Sequence, residues 1–414
     1  AHPAPSGEAG GAEAARGAAA RRFADGGAPG RRDEYWRFTD PAGLIALPAP
    51  AAKVLVTDEP PVFDAVDRLR LVFVDGVFAP DLSDAPEMAG VEIAPLSEVL
   101  RSDIHWAREL FGSLEARGQT PVPRPLAALN TARAVEGVAI RAKGRAARPV
   151  SLVYLHRSET SDALIHHLIR LEPGADLTLL ENGPAAARFN KVLEIDVADG
   201  ASFHHVRAQG RDHERRAATA TFARLGRESR FRSFTLTVNG RLTRNENVIE
   251  FTGDDASAHV AGACLGDGDF HHDDTVFVIH GAERCESRQV FKKVLKGGAV
   301  GVFQGKILVK PGAQRTDGYQ ISQALLLDEA SQFLAKPELE IYADDVKCSH
   351  GSTCGAVDPT ALFYLTSRGV TRAEAEALLV VAFLDEAIAE IEDESLADDI
   401  RSRLEAWIAR RRRA

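Results

Sequence analysis

The stretch SFTLTVNGRLTRNENVIEFTG, Ser233–Gly253, decides the fold class. It holds two short runs, SFTLTVNG and NVIEFTG, rich in β-branched and aromatic residues and each closed by a glycine. Moving outward, similar runs recur on both sides: SLVYLHR, ALIHHLIRL, DLTLLEN and SFHHVRAQG before it, TVFVIHG and GKILVKPG after it. Gly240, Gly253, Gly268, Gly281, Gly297 and Gly312 follow one another at intervals of 13 to 16 residues. Helical spacing is nearly absent throughout this middle region. Many short, evenly spaced strands mean a sandwich, a barrel or a β-solenoid, and periodicity alone does not separate the three.

The flanks read differently. Residues 1–145 form a mostly helical region broken by Pro41, Pro48, Pro50, Pro60 and Pro61. Within it RLRLVFVDGVFAP (68–80) reads as a hairpin turning at Asp75-Gly76. LSEVLRSDIHWARELFGSLEARG (96–118) reads as a helix, with Leu100, Ile104, Ala107 and Leu110 on one face. Residues 146–350 form the β core, and 351–414 turn helical again. Thr371 and Glu374 make a capping box ahead of a stripe of Ala375, Leu378, Leu379, Ala382 and Phe383. Ser395 reads as the cap of a last helix carrying Leu396, Ile400, Leu404, Trp407 and Ile408. Two such helices need a surface to cover, this chain's or a partner's.

The chain has 414 residues, 45% of them hydrophobic and 27% charged, within the range of globular proteins with a sizeable core. A net charge of −10 argues against nucleic acid as the main partner. The basic run Arg410–Arg413 reads as a solvated helix end. Four cysteines, none in a CxxC pair, do not build a disulfide framework, so the expected compartment is the reducing cytoplasm. The Ala- and Gly-rich start has no signal-like apolar core, and the run Ala377–Leu384 is too short to span a bilayer. The missing initiator Met suggests a trimmed start.

Chemistry concentrates near the end, where YADDVKCSHGSTCGAVDP (342–359) brings Cys348, His350 and Cys354 together. A closed zinc site wants four ligands, and the fourth would have to come from Cys264 or Cys285. A nucleophile with its base is a second reading, and a buried Cys beside a satisfied His is a third. Positions i and i+2 of a strand share a face, which suits joint contact with a bound ion better than a catalytic triad. For Cys354, core filling is the default reading. The other polar cluster, LGDGDFHHDDTV (265–276), offers Asp267, Asp269, His271, His272, Asp273 and Asp274. It faintly echoes a calcium β-roll but reads as a solvated turn. Gly305-Lys306 lacks the earlier Gly and the following Ser or Thr of a phosphate loop, so no ATP site is expected.

The stretch from Thr275 to Gly369 resembles the core of the SufB/SufD family, which helps assemble iron–sulfur clusters. The resemblance rests on His280 and Ser287 before Phe291-Lys292, on Gly301-Val302-Phe303-x-Gly305, and on Ala313-Gln314-x-Thr316-Asp317. It continues through Lys336-Pro337-x-Leu339-Glu340-Ile341, Ala343-Asp344-Asp345-Val346 and Phe363-Tyr364-Leu365-x-x-Arg368-Gly369. Glu34-Tyr35-Trp36-Arg37-Phe38-Thr39-Asp40 matches the family's beginning more loosely. Cys-Ser-His-Gly at 348–351 is similar to the SufD branch, and Cys354 departs from its pattern.

The resemblance implies a mainly β protein: a right-handed parallel β-helix core with an N-terminal α/β region and a C-terminal helical domain. It implies a non-catalytic scaffold in a complex with SufB, paired through the end of the β-helix, and with two copies of the ATPase SufC, docked on the C-terminal helices. Cys348 and His350 would then be half of a metal site for a transient iron–sulfur cluster shared with SufB. Whether the isolated chain forms a homodimer stays open. Two other readings stand beside this one: a β-helix enzyme acting on polysaccharide, which would carry paired carboxylates on one face, and a stand-alone metal-binding protein.

Overall fold

The computed structural model of the chain describes residues 2–102, 105–210 and 214–411. Its centre is a parallel β-solenoid of about 7 turns. Successive strands alternate between a ten-stranded and a nine-stranded sheet, so each turn contributes one strand to each. The register is strict: Ser202, Arg230, Ser257, Glu286, Asp317 and Lys347 stack in one column. Residues 28 apart, such as His205 and Ser233, therefore lie side by side.

Alternation within each strand sorts side chains into two populations. Inward positions carry Leu177, Phe203, Phe231, Ile249, Phe251, Val278, Phe291 and Phe303, one continuous core between the sheets. Aromatic pairs tie the core together: ring centroids of Phe203 and Phe231, on successive turns, are 5.6 Å apart, and those of Phe291 and Phe303, across the two sheets, are 4.9 Å apart. Outward positions are also apolar, because both outer faces are covered, as parallel sheets require.

The C-terminal helices Arg372–Ile388 and Glu394–Arg411 cover the ten-stranded sheet. Val380, Leu384, Ile388, Ile400, Leu404 and Trp407 pack there on Val206, Phe234, Leu236, Ala261 and Val290. The surface these helices needed is the chain's own sheet. The capping box at Thr371 and Glu374 forms as expected. The expected stripe holds in part: Ala375 is buried and Phe383 packs against the core, but Leu378 is 55% exposed, and Val380 and Leu384 face the core instead. The last helix is capped by Asp393, not Ser395, because the Asp393 carboxylate accepts from the N–H groups of Ser395 and Leu396 at 2.9 and 3.2 Å.

The N-terminal region covers the nine-stranded sheet. Leu96, Leu110, Phe111 and Leu114 pack on Val192, Ala220, Phe222 and Val248. The single helix expected over 96–118 is instead three short ones, Leu96–Val99, Ala107–Leu110 and Ser113–Arg117. Gly112, at φ 73, breaks the chain before the third. Glu194 accepts from the N–H groups of Gly112, Leu114 and Glu115 and holds that turn to the sheet; Ile104 lies outside the described residues. The hairpin at 68–80 forms as read, with Leu69–Val74 antiparallel to Val77–Phe78. Asp75 and Gly76 both have positive φ, the signature of a type I′ turn.

The N-terminal segment also braces the far end of the solenoid. The Tyr35 hydroxyl donates to Glu338 at 3.0 Å, Lys336 sits 4.3 Å over the Tyr35 ring, and Arg244 stacks 3.9 Å from the Trp36 ring centroid.

Candidate functional site

The solenoid ends on two strands with a free edge each. Lys347–Gly355 pairs only with Asp317–Leu326, and Gln332–Ile341 only with Val300–Val309, among the described residues. In Asp317–Leu326 the buried, inward positions are Gly318, Gln320, Ser322 and Ala324. Their register partners on the last rung are Cys348, His350, Ser352 and Cys354. On this strand the core thus ends on two thiols, an imidazole and a hydroxyl, while the inward positions of the other terminal strand are the apolar Phe333, Ala335, Pro337 and Leu339.

Cys348 is half-buried against Ile307, Val309, Leu339 and Val346. His350 and Cys354 are exposed, so core filling does not describe Cys354. The reason is position: Cys354 would be core only if another layer followed. The Ser322 hydroxyl donates to the Ser352 hydroxyl at 3.0 Å and locks the middle of the rung. Lys347 N–H donates back to Thr316 O, so the backbone groups of Cys348, His350, Ser352 and Cys354 point to the free edge.

Burial raises the Cys348 thiol, an effect the Gly318 N–H only partly offsets, and burial also raises the Cys354 thiol. Both therefore stay protonated near neutrality, and thiolate character waits on a bound metal or an approaching cation. Deeper in the chain, burial pushes the Cys264 thiol up to about 12 and that of Cys285 to about 11. At pH 8 iodoacetamide is expected to modify Cys354 first and Cys348 more slowly, while Cys264 and Cys285 react only after unfolding. Adduct counting by mass spectrometry checks this order, and labelling of Cys348 as fast as a free low-pKa thiol would contradict it.

Among the described residues no group of three His, Cys, Asp or Glu side chains is placed to hold a metal ion. Cys264 packs with Phe270, Leu295 and Ala299, and Cys285 donates to the carbonyls of Gly253 and Glu283, so neither completes a set with Cys348. The last rung offers two or three soft donors at an open edge, fewer than a closed site needs.

The stretch 265–276 is not a solvated turn beyond Gly268–Phe270. His271–His280 is a strand, and His272, Asp273 and Asp274 are buried. Asp273 faces outward to Arg244 at 2.7 Å and Thr39 at 2.5 Å, and Asp274 faces inward to Lys293 at 2.9 Å. These carboxylates are spent on the fold, and Asp269 pairs with Arg241.

Two features escaped sequence reasoning. One is a charged group inside the solenoid, in which Glu181 binds Lys191, His205 and Tyr154. Its signal was there: SFHHVRAQG carries His205, Arg207 and Gln209 at the same alternating positions as Phe203. The other is an apolar surface on the C-terminal helices, where Phe363, Tyr364 and Leu378 are 71%, 55% and 55% exposed.

Residues 154–383, more than half of the chain, match the family model described as SUF system FeS cluster assembly, SufBD core domain. The chain is similar to the iron-sulfur cluster assembly protein SufD of Escherichia coli (strain K12), 28% identical over 91% of this chain and 89% of that protein. It is 30% identical to the SufD protein of Bacillus subtilis (strain 168) over 62% of this chain and 60% of that one. Protein ABCI7, chloroplastic, of Arabidopsis thaliana is 28% identical over 53% of this chain.

Proposed function

On the premise that this chain belongs to the SufBD family of iron–sulfur cluster assembly proteins, we propose that it is a non-catalytic scaffold subunit of the assembly complex. Its solenoid end pairs with a SufB-type chain, and its C-terminal helices dock a SufC-type ATPase. Cys348 and His350 give half the ligands to a nascent cluster, which is cargo, at the interface with the SufB-type chain. One observation carries this reading. The last rung presents Cys348, His350, Ser352 and Cys354 where the core would otherwise continue, beside two unpaired strand edges. An open parallel edge is a template for another strand, and natural proteins seldom leave one bare. The exposed Phe363, Tyr364 and Leu378 support the second contact.

The polysaccharide reading has less behind it. Paired carboxylates would have to stand on an exposed face, whereas Asp273 and Asp274 are buried and paired with Arg244 and Lys293. No helix among the described residues is long and apolar enough to cross a membrane.

Ser352→Pro tests the edge. It removes an N–H that points to the free edge and is not used within the sheet, and Ser352→Ala, which loses only the hydroxyl bonded to Ser322, is the control. Co-purification with the SufB-type chain is expected to fall about ten-fold or more while the circular dichroism of this chain is unchanged. Undiminished co-purification would remove the strand-pairing proposal.

A further inference from the structure

The ladder beneath His350 has a direction. Val260, Gln289, Gln320 and His350 occupy one inward column on four successive turns of the ten-stranded sheet. Gln289 and Gln320 are fully buried. The Gln320 side-chain N–H₂ donates to the Gln289 carbonyl oxygen at 3.3 Å. That leaves two amide atoms without a partner, the Gln289 nitrogen and the Gln320 oxygen. The second belongs to the rung directly under His350.

A buried amide oxygen without a donor is costly, and few native proteins tolerate one without a reason. The bare backbone of Gly305 leaves room for the Gln320 amide group. A Cβ on Gly305, across the core, would stand 2.4 Å from the Gln320 nitrogen. Gln320 thus donates inward to Gln289, and its own oxygen is left without a donor. The next residue in the column is His350, whose imidazole carries an N–H.

We propose that Gln320 is a positioning residue for His350: its side-chain oxygen takes the imidazole N–H and fixes the tautomer, leaving the other ring nitrogen's lone pair directed at the open edge. Neutral imidazole has one N–H and one lone pair, and only the lone pair binds a metal. Metal-binding histidines commonly have their N–H held by an acceptor in this way. The inference rests on the proposed ligand role of His350, and the experiment separates the two.

The test uses the full chain labelled with 15N, at a pH where His350 is neutral, and reads the His350 tautomer from its ring nitrogen shifts. Three forms are compared: wild type, Gln320→Leu without an acceptor, and Gln320→Glu, which keeps one. The tautomer ratio is expected to differ about ten-fold between wild type and Gln320→Leu, with Gln320→Glu resembling wild type. Equal ratios in wild type and Gln320→Leu would overturn the proposal. Gln320→Met carries the same comparison if the Leu variant folds poorly.

Titration with Co²⁺ alone, followed by its thiolate absorption, supplies the second readout. Gln320→Leu is expected to bind Co²⁺ about ten-fold more weakly, and Gln320→Glu as wild type does. If His350→Ala leaves Co²⁺ affinity unchanged while the tautomer result holds, the ligand role falls and the positioning role stands. If His350→Ala weakens Co²⁺ but Gln320→Leu changes neither readout, the positioning role falls and the ligand role stands.

Discussion

Glu181→Leu is expected to destabilise the chain by about 3–5 kcal/mol in urea unfolding, the largest stability loss of any single substitution considered. Glu181 is fully buried in the solenoid and accepts from Lys191 at 2.5 Å, His205 at 2.6 Å and the Tyr154 hydroxyl at 2.7 Å. The partners fix every proton. His205 donates through Nε2, so its Nδ1 accepts from Ser233 at 2.9 Å. Val138 N–H donates to Nδ1 of His167, whose Nε2–H then donates to the Tyr154 oxygen at 2.9 Å. Removing the carboxylate leaves the Lys191 ammonium buried with no counter-charge. The double change Glu181→Leu with Lys191→Met removes both charges and is expected to recover more than half of the loss. A single-variant loss under about 1 kcal/mol would contradict this account of the interior.

The same group sets the acid response. Burial pushes His167 down to about 3 and His205 down to about 4, while neighbouring cations hold Glu181 well below its ordinary value against the pull of burial. In each case the folded pKa lies below the unfolded one, so the unfolded chain takes up the proton first. Stability is therefore complete above about pH 6.5, the ordinary histidine value, and falls as pH drops from there toward 4. Urea midpoints at pH 7, 5.5 and 4.5 should decrease in that order, and a flat series would contradict the assignment.

The second large effect concerns function. His350→Ala is expected to lower the iron–sulfur cluster recovered on the assembled complex by about ten-fold or more, with complex yield unchanged. His350 is exposed, and the one hydrogen bond assigned to its side chain is the proposed contact with Gln320, so its removal costs the fold little. Iron and sulfide content per complex, beside a native mass measurement, reads both quantities together. Loss of partner binding instead would make His350 an interface contact and not a ligand.

Much of the fold was legible, though in a form that needed one more step. The glycine interval of 13 to 16 residues is half a turn of the solenoid. Gly240, Gly268 and Gly297 close strands of the ten-stranded sheet, while Gly253, Gly281 and Gly312 close those of the other. Doubling the interval would have singled out the solenoid.

A second repeat is invisible in composition. Gly200, Glu228, Asp255, Arg284 and Arg315 all have φ between 55° and 67° at the same corner of successive turns. Four of the five are charged side chains, so no glycine rule finds them. The helix at 96–118 failed because its apolar spacing serves three short helices wrapped on Val192, Phe222 and Val248. Leu378 failed because an exposed apolar face looks like a core stripe when only spacing is read.

For the site, strand alternation placed Cys348 and His350 on one face, and the register does the same. The Gln289–Gln320 ladder was not legible. It depends on which residues stack 31 and 30 positions apart, and that register appears only once the turns are closed.

The most direct test of the central claim is the native mass of what co-purifies when this chain is expressed with a SufB-type and a SufC-type partner. The account predicts one assembly with one copy of this chain, one SufB-type chain and two ATPase subunits. A lone monomer, or a homodimer that persists with both partners present, would contradict it: the last rung of Cys348, His350, Ser352 and Cys354 would then not be half of a shared site.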